Sequence, residues 1–246
     1  MTERRSQLNP VVLIEAEPGR LNDVARRVRL QGAEPIQACG CAEAANLLPP
    51  PDLGTTAVLI DIALASRSLK KDLARLRLAA AGPDLFSLAV GAPPTSRVRK
   101  QLRSAGLQFA LWEPFDDATL RFQLNRAWNA DQDDHKRAHP RIPTYLHARI
   151  GSGARVKDGV VYSLSHEGAF LETPRATMAG AVVDLAIQLP TCLIETQAQV
   201  IFANVPGNLQ RPNLSLGMAV HFEGLDPPTS KKVKSFIKRR LSELEI

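Results

Sequence analysis

The chain has few cysteines and no long apolar run, and each shortage excludes something. No stretch approaches the roughly 18 consecutive apolar residues that a membrane-spanning helix needs, so no transmembrane segment is expected. The first residues, Met1-Thr2-Glu3-Arg4-Arg5, are followed by no apolar signal-peptide core. There are only 3 cysteines in 246 residues. Cys39 and Cys41 are separated by one residue and Cys192 is remote, which is no disulfide framework. A cytoplasmic location is the expectation. No second Cys or His cluster completes Cys39-x-Cys41, and His135, His139, His147, His166 and His221 are scattered without a pair at ligand spacing, so no metal is expected. There is no nucleophile elbow, no phosphate-binding glycine loop and no paired catalytic carboxylates. The sequence therefore predicts no catalytic residue, no cofactor and no enzyme.

What is present is an ordinary globular composition, 44% hydrophobic and 23% charged, in a chain long enough for two domains. The net charge of +6 is unevenly spread. Met1–Asp134 carries 17 basic and 16 acidic residues, whereas His135–Ile246 carries 14 and 9. The second half is the one suited to an anionic partner.

The first half alternates strand and helix patterns. Val11–Ile14, Ala57–Ile60, Leu85–Val90 and Leu107–Trp112 are apolar runs of the kind buried on both faces of a parallel sheet. Between them, Leu21, Val24, Ala25 and Val28 recur at helical spacing, as do Leu69, Leu73 and Leu76, then Val98, Leu102 and Ala105. Gly106 is placed to end the third of these helices. Leu120, Leu124 and Trp128 mark a last helix, with Asp116 or Asp117 as its N-cap. The prediction is an α/β doubly wound parallel sheet over residues 1–130. Ligands of such sheets bind at the carboxyl ends of the strands, where Glu15 and Asp61 fall.

The polar stretch around residues 131–136 reads as a linker, and residues 137–246 as an all-β domain with a C-terminal helix. Leu146, Ala148 and Ile150 alternate with polar partners, as do Val183, Leu185, Ile187 and Leu189. Cys192–Val205 and Leu216–Phe222 supply further strands. Many short strands without helices between them predict a closed or partly closed antiparallel barrel. In the tail, Thr229–Ile246, the apolar residues Val233, Phe236, Ile237, Leu241 and Leu244 fall near one helical face among lysines and arginines. That is a helix lying on the barrel with a solvated basic side; nucleic-acid binding is not expected.

The most informative residues lie where this half begins. Arg137-Ala138-His139-Pro140-Arg141 places two arginines four apart, among prolines that oppose helix. About twenty residues on, Ser163-Leu164-Ser165-His166-Glu167-Gly168 interrupts two strand-like runs. Arginine forks onto phosphate oxygens or guanine O6 and N7, a serine hydroxyl can hydrogen-bond a ligand, and glycine permits close backbone approach.

These two elements resemble the ligand motif of PilZ domains, R-x-x-x-R followed by [D/N]-x-S-x-x-G. Arg137, Arg141, Ser165 and Gly168 match, and Ser163 stands where the family has Asp or Asn. Ala169–Leu171 and Leu216–Phe222 also look like family strands. The resemblance implies a six-stranded antiparallel barrel that binds cyclic di-GMP through Arg137, Arg141, Ser163, Ser165 and Gly168, with His139 and His166 close to the ligand. With Ser163 lacking a carboxylate or amide, the expected binding is weak. The first half resembles a response-regulator receiver. Val58–Asp61 looks like the phosphoacceptor strand, with Asp61 and Glu15 as its vestigial acidic pair, and Leu111–Phe115 looks like the segment after the last strand. Glu113 replaces the receiver lysine and Gly91 the switch hydroxyl. The implied molecule is a bacterial signalling protein: a cyclic di-GMP effector whose non-phosphorylated pseudo-receiver docks signalling or motility proteins. The alternative is a scaffold for motility or polarity that works without cyclic di-GMP.

Overall fold

The computed structural model describes residues 10–49, 56–66, 68–80, 85–128, 139–153, 155–211 and 214–246. The expected linker lies outside the described residues. The chain divides into two compact units, one of Met1–His135 with Glu243–Ile246 and one of Lys136–Ser242.

The first unit is built from β1 (Pro10–Glu15), α1 (Asn22–Leu30), β2 (Glu34–Cys39), α2 (Gly40–Leu47), β3 (Ala57–Asp61), α3 (Leu69–Ala79), β4 (Phe86–Gly91), α4 (Ser96–Ser104), β5 (Phe109–Trp112) and α5 (Asp117–Trp128). Its five strands form a parallel sheet in the order β2-β1-β3-β4-β5. Strand side chains alternate between faces, and the core divides accordingly. Val12, Ile14, Val58 and Ile60 pack with Ala44 of α2, Leu73 of α3 and Leu102 of α4. Val11, Leu13, Leu59 and Val90 pack with Val24 of α1 and Leu120 of α5. The strand order reverses at β1, so Glu15 and Asp61 end neighbouring strands at the switch point of the sheet.

Three local features depart from or sharpen the sequence reading. The pair β2–α2 has no counterpart in it. β2 is an edge strand with Pro35 in it and both ends exposed, and α2 fully buries only Ala44, so neither carries a strong apolar period. The N-cap of α5 is Asp116, whose Oδ1 accepts the Thr119 amide at 2.7 Å. The tail helix ends at Ser242, and Leu244 is not on its face. Instead Leu244 and Ile246 are buried with Glu245 exposed between them, the period of a strand. This segment pairs antiparallel along the open edge of β5: the Ala110 amide donates to Leu244 O at 2.8 Å and the Ile246 amide to Gln108 O at 3.1 Å.

The second unit comprises β6 (Ile142–Ser152), β7 (Arg155–Leu164), β8 (Gly168–Glu172), β9 (Val182–Gln188), β10 (Leu193–Asn204), β11 (Gly217–Phe222) and α6 (Pro227–Ser242). The strands close into a barrel in the order β10-β11-β8-β7-β6-β9, with every pairing antiparallel. Ala148, Ile150, Val161, Leu185, Ile187 and Val200 are among its buried residues. Phe170 meets Tyr162 edge-on and Phe202 at a tilt. Helix α6 buries Val233, Phe236 and Ile237 and leaves its lysines exposed. No described helix is long and apolar enough to cross a membrane.

Candidate functional site

The serine-glycine element is the tight connection between β7 and β8. The Ser165 amide and hydroxyl both donate to the Gly168 carbonyl, at 2.8 and 3.1 Å. The Ser165 proton is thus used by the turn, and its oxygen keeps lone pairs for an incoming donor. The turn is also tied to β11, because the Phe222 amide donates to Glu167 O at 2.8 Å. A Cβ on Gly168 would lie 2.1 Å from the Val220 carbonyl oxygen. The close backbone approach that the glycine permits is therefore to β11. Ser163, one turn of the pleat earlier, is buried and opposite Pro143 and Phe170, beside a register irregularity between Val161 and Ser163. It is not among the residues lining the cavity next to the turn.

That cavity, about 390 Å³, lies over the turn and the β10–β11 edge. His139, Arg141, Ser165, Glu167 and Gly168 line its polar side; Ile201, Phe202, Ala219 and Val220 supply an apolar side. The structure thus brings Arg141, Ser165 and Gly168 together, as the motif requires. Arg137 lies outside the described residues. The two histidines of the motif also meet. Their rings are edge to face with centroids 5.3 Å apart, and His139 Nε2 is 3.1 Å from Glu167 Oε1. His166 Nε2 is 3.0 Å from Ser230 Oγ, while its Nδ1 is buried without a partner among the described residues. Burial, then the charges of Lys234 and His139, hold His166 below the usual histidine range, against a smaller opposing pull from Glu167. Glu167 entered the sequence reading only as a spacer residue; here it is a carboxylate facing the cavity.

At the switch point of the first unit the acidic pair is committed to the fold. Asp61 is buried, and its oxygens accept the Ala63 amide at 3.0 Å and the Ala16 amide at 3.4 Å. Glu15, also buried, accepts the Leu21 amide at 2.9 Å and Gln37 Nε2 at 3.3 Å. Glu113 is held in a two-bond fork by Arg20, at 2.9 and 3.2 Å. The hydrogen bond and charge of Glu113 raise the already high pKa of Arg20. No local pattern flags Arg20, since its partner is far away in the chain. Gly91 has φ +147°, and a Cβ there would lie 2.6 Å from Ile62 Cγ1. A side chain at that position would have to displace Ile62 and adopt a strained backbone angle.

Residues 135–239 match the family described as "PilZ domain". A search of curated proteins found no match. Among solved structures, the chain is similar to the Bacillus subtilis inhibitor of motility MotI/DgrA, at 19% identity and a TM-score of 0.38, over 44% of this chain and 52% of that one. It thus spans about half the length of that protein. It is similar to the PilZ domain of YcgR from Escherichia coli, solved with c-di-GMP, at 16% identity and a TM-score of 0.35, over 44% of this chain and 93% of that one. It is also similar to the Vibrio cholerae chemotaxis protein CheY4, at 15% identity and a TM-score of 0.38, over 49% of this chain and 98% of that one. The motif turn, the closed six-stranded barrel with its following helix, and the family match together make residues 135–239 of this chain a PilZ domain.

Proposed function

We propose that this protein is a cyclic di-GMP effector that acts without chemistry of its own. Arg137 and Arg141 clamp the phosphates or guanine edges, and the Ser163–Gly168 element closes the other side. The observation that carries this reading is the cavity in which Arg141 faces the Ser165–Gly168 turn within a PilZ barrel. Guanidinium groups suit this ligand because they bond its phosphates and its guanine O6 and N7 in pairs, and each such pair is worth ~1–3 kcal/mol. The apolar flank of Ile201 and Phe202 suits a purine face.

Two features set the affinity low. Ser163 offers one hydroxyl where a carboxylate or amide would meet two guanine donors. Glu167 puts a negative charge beside a dianionic ligand, offset in part by Arg141. The first unit serves as an unphosphorylated pseudo-receiver: with Asp61 bonded to two backbone amides and Glu113 forked onto Arg20, it docks a partner rather than accepting a phosphoryl group. Ligand binding through Arg137 and Arg141 alters the affinity for a signalling or motility protein in the bacterial cytoplasm. Calorimetric titration of the full chain with cyclic di-GMP tests the reading, and absence of heat at millimolar ligand rejects it. The burial of Ser163 and the structural use of Gly168 favour the second reading, a scaffold that docks partners without the nucleotide.

A further inference from the structure

We propose that His139, His166 and Glu167 form a binding site for a divalent transition-metal ion, with Zn²⁺ as the best-suited ion, at the junction of the two motif elements. One donor atom from each of the three side chains lies within 4.8 Å of the others. Tetrahedral Zn²⁺ with bonds of 2.0–2.2 Å has ligand atoms about 3.3 Å apart. The His139–Glu167 contact, at 3.1 Å, already has that spacing, so side-chain adjustments of at most about 1.5 Å complete the set.

The ligand chemistry is specific. Two imidazoles and one carboxylate select zinc-like ions over Mg²⁺ or Ca²⁺, which prefer all-oxygen sites. Three protein ligands leave a fourth position for water or another donor. The support around the ligands is also in place. Ser230, at the start of α6, holds one nitrogen of His166 at 3.0 Å and so orients the ring, as outer-sphere groups do for metal-bound histidines. The other nitrogen, Nδ1, is buried and has no partner among the described residues, an expense that a metal bond removes. The Ser165–Gly168 turn that carries His166 and Glu167 is pinned by its own hydrogen bonds and by the Phe222 amide, so two ligands sit on a rigid platform. The third ligand, His139, is the middle residue of the Arg137-x-x-x-Arg141 element. A bound ion therefore fastens that element to the turn across the cavity. The site rests on these donors alone and does not require that cyclic di-GMP bind.

The test is titration of the full, metal-free chain with Co²⁺ followed in the visible spectrum, then displacement by Zn²⁺. The expected result is one Co²⁺ per chain with intense d–d bands, bleached by Zn²⁺, and at least a tenfold loss of affinity in each of His139→Gln, His166→Gln and Glu167→Gln. His139→Gln is the decisive variant, because His139 is half-exposed and its replacement leaves the barrel intact. Cys39→Ser/Cys41→Ser should leave the spectrum unchanged. Absence of Co²⁺ bands in the wild type overturns the proposal, and so does binding that survives His139→Gln or is abolished by the cysteine changes. A Zn²⁺-dependent rise in melting temperature, present in wild type and absent in His139→Gln, reads the same site without spectroscopy.

Discussion

Gly168→Ala separates a motif glycine kept for the ligand from one kept for the barrel. The added Cβ lies 2.1 Å from Val220 O, 3.2 Å from Val220 C and 3.3 Å from His221 Cα, all backbone atoms of β11. An ordinary carbon–oxygen contact is about 3.3–3.6 Å, so β8 and β11 must part by over ~1 Å. That stretches the ladder bonds around the Gly168–His221 pair beyond useful length. Losing one or two bonds at ~0.5–1.5 kcal/mol each, with ~1–3 kcal/mol of overpacking, gives about 1.5–6 kcal/mol. For a barrel of this size the melting temperature should fall by about 6–30 °C. Both tyrosines, Tyr145 and Tyr162, lie in the barrel and both tryptophans, Trp112 and Trp128, in the first unit. Tyrosine near-ultraviolet dichroism and tryptophan fluorescence therefore follow the two units separately. The tyrosine transition should move and the tryptophan transition stay. Gly180→Ala is the control: its φ of +85° strains a side chain but nothing lies within 4 Å, so it should cost only about 1–2 kcal/mol. A Gly168→Ala barrel melting within about 3 °C of wild type would refute the packing argument, and a simultaneous loss of ligand binding would assign the glycine to the ligand.

Three further outcomes are expected. Acetyl phosphate with Mg²⁺ should leave the intact mass unchanged, because Asp61 is bonded to Ala16 and Ala63 amides and no lysine faces it from position 113; a stoichiometric gain lost in Asp61→Asn would contradict this. Glu113→Ala should leave Arg20 without its fork and cost no more than about 1 kcal/mol in the tryptophan-detected melt, since both side chains are about one-third exposed or more; a larger loss would make the pair structural. Ser163→Asp should raise cyclic di-GMP affinity by on the order of 1 kcal/mol or more, by accepting from two guanine donors, while lowering the stability of the ligand-free barrel because the carboxylate starts buried; equal or weaker affinity by calorimetry would favour the nucleotide-independent scaffold.

The parts of the fold that were legible in the sequence are those with a strong period or an unbroken apolar run. Val11–Ile14 and Ala57–Ile60 are fully buried and could only be inner strands. The barrel strands announced themselves by alternation, as in Val183, Leu185 and Ile187. Edge elements did not: β2 is half-exposed and α2 buries one alanine, so packing on stronger neighbours defines them. Leu241 and Leu244 suit a helix in the sequence, and only the free edge of β5 draws the last residues into an antiparallel bridge. At the candidate site, the motif placed Arg141 beside Ser165 and Gly168, but not the reason for the glycine, which is a contact with a strand fifty residues on. Nor could spacing reveal His139, His166 and Glu167 as neighbours, since the closure of β6, β7 and β8 is what gathers them. The Arg20–Glu113 fork is hidden for the same reason.

Isothermal titration of the full chain with cyclic di-GMP, run in parallel on Arg137→Ala and Arg141→Ala, tests the central claim most directly. The account predicts saturable binding by the wild type and at least the ~1–3 kcal/mol loss of one paired contact in each variant, roughly five- to 150-fold in Kd. No binding by the wild type, or binding unchanged in Arg141→Ala, would contradict it.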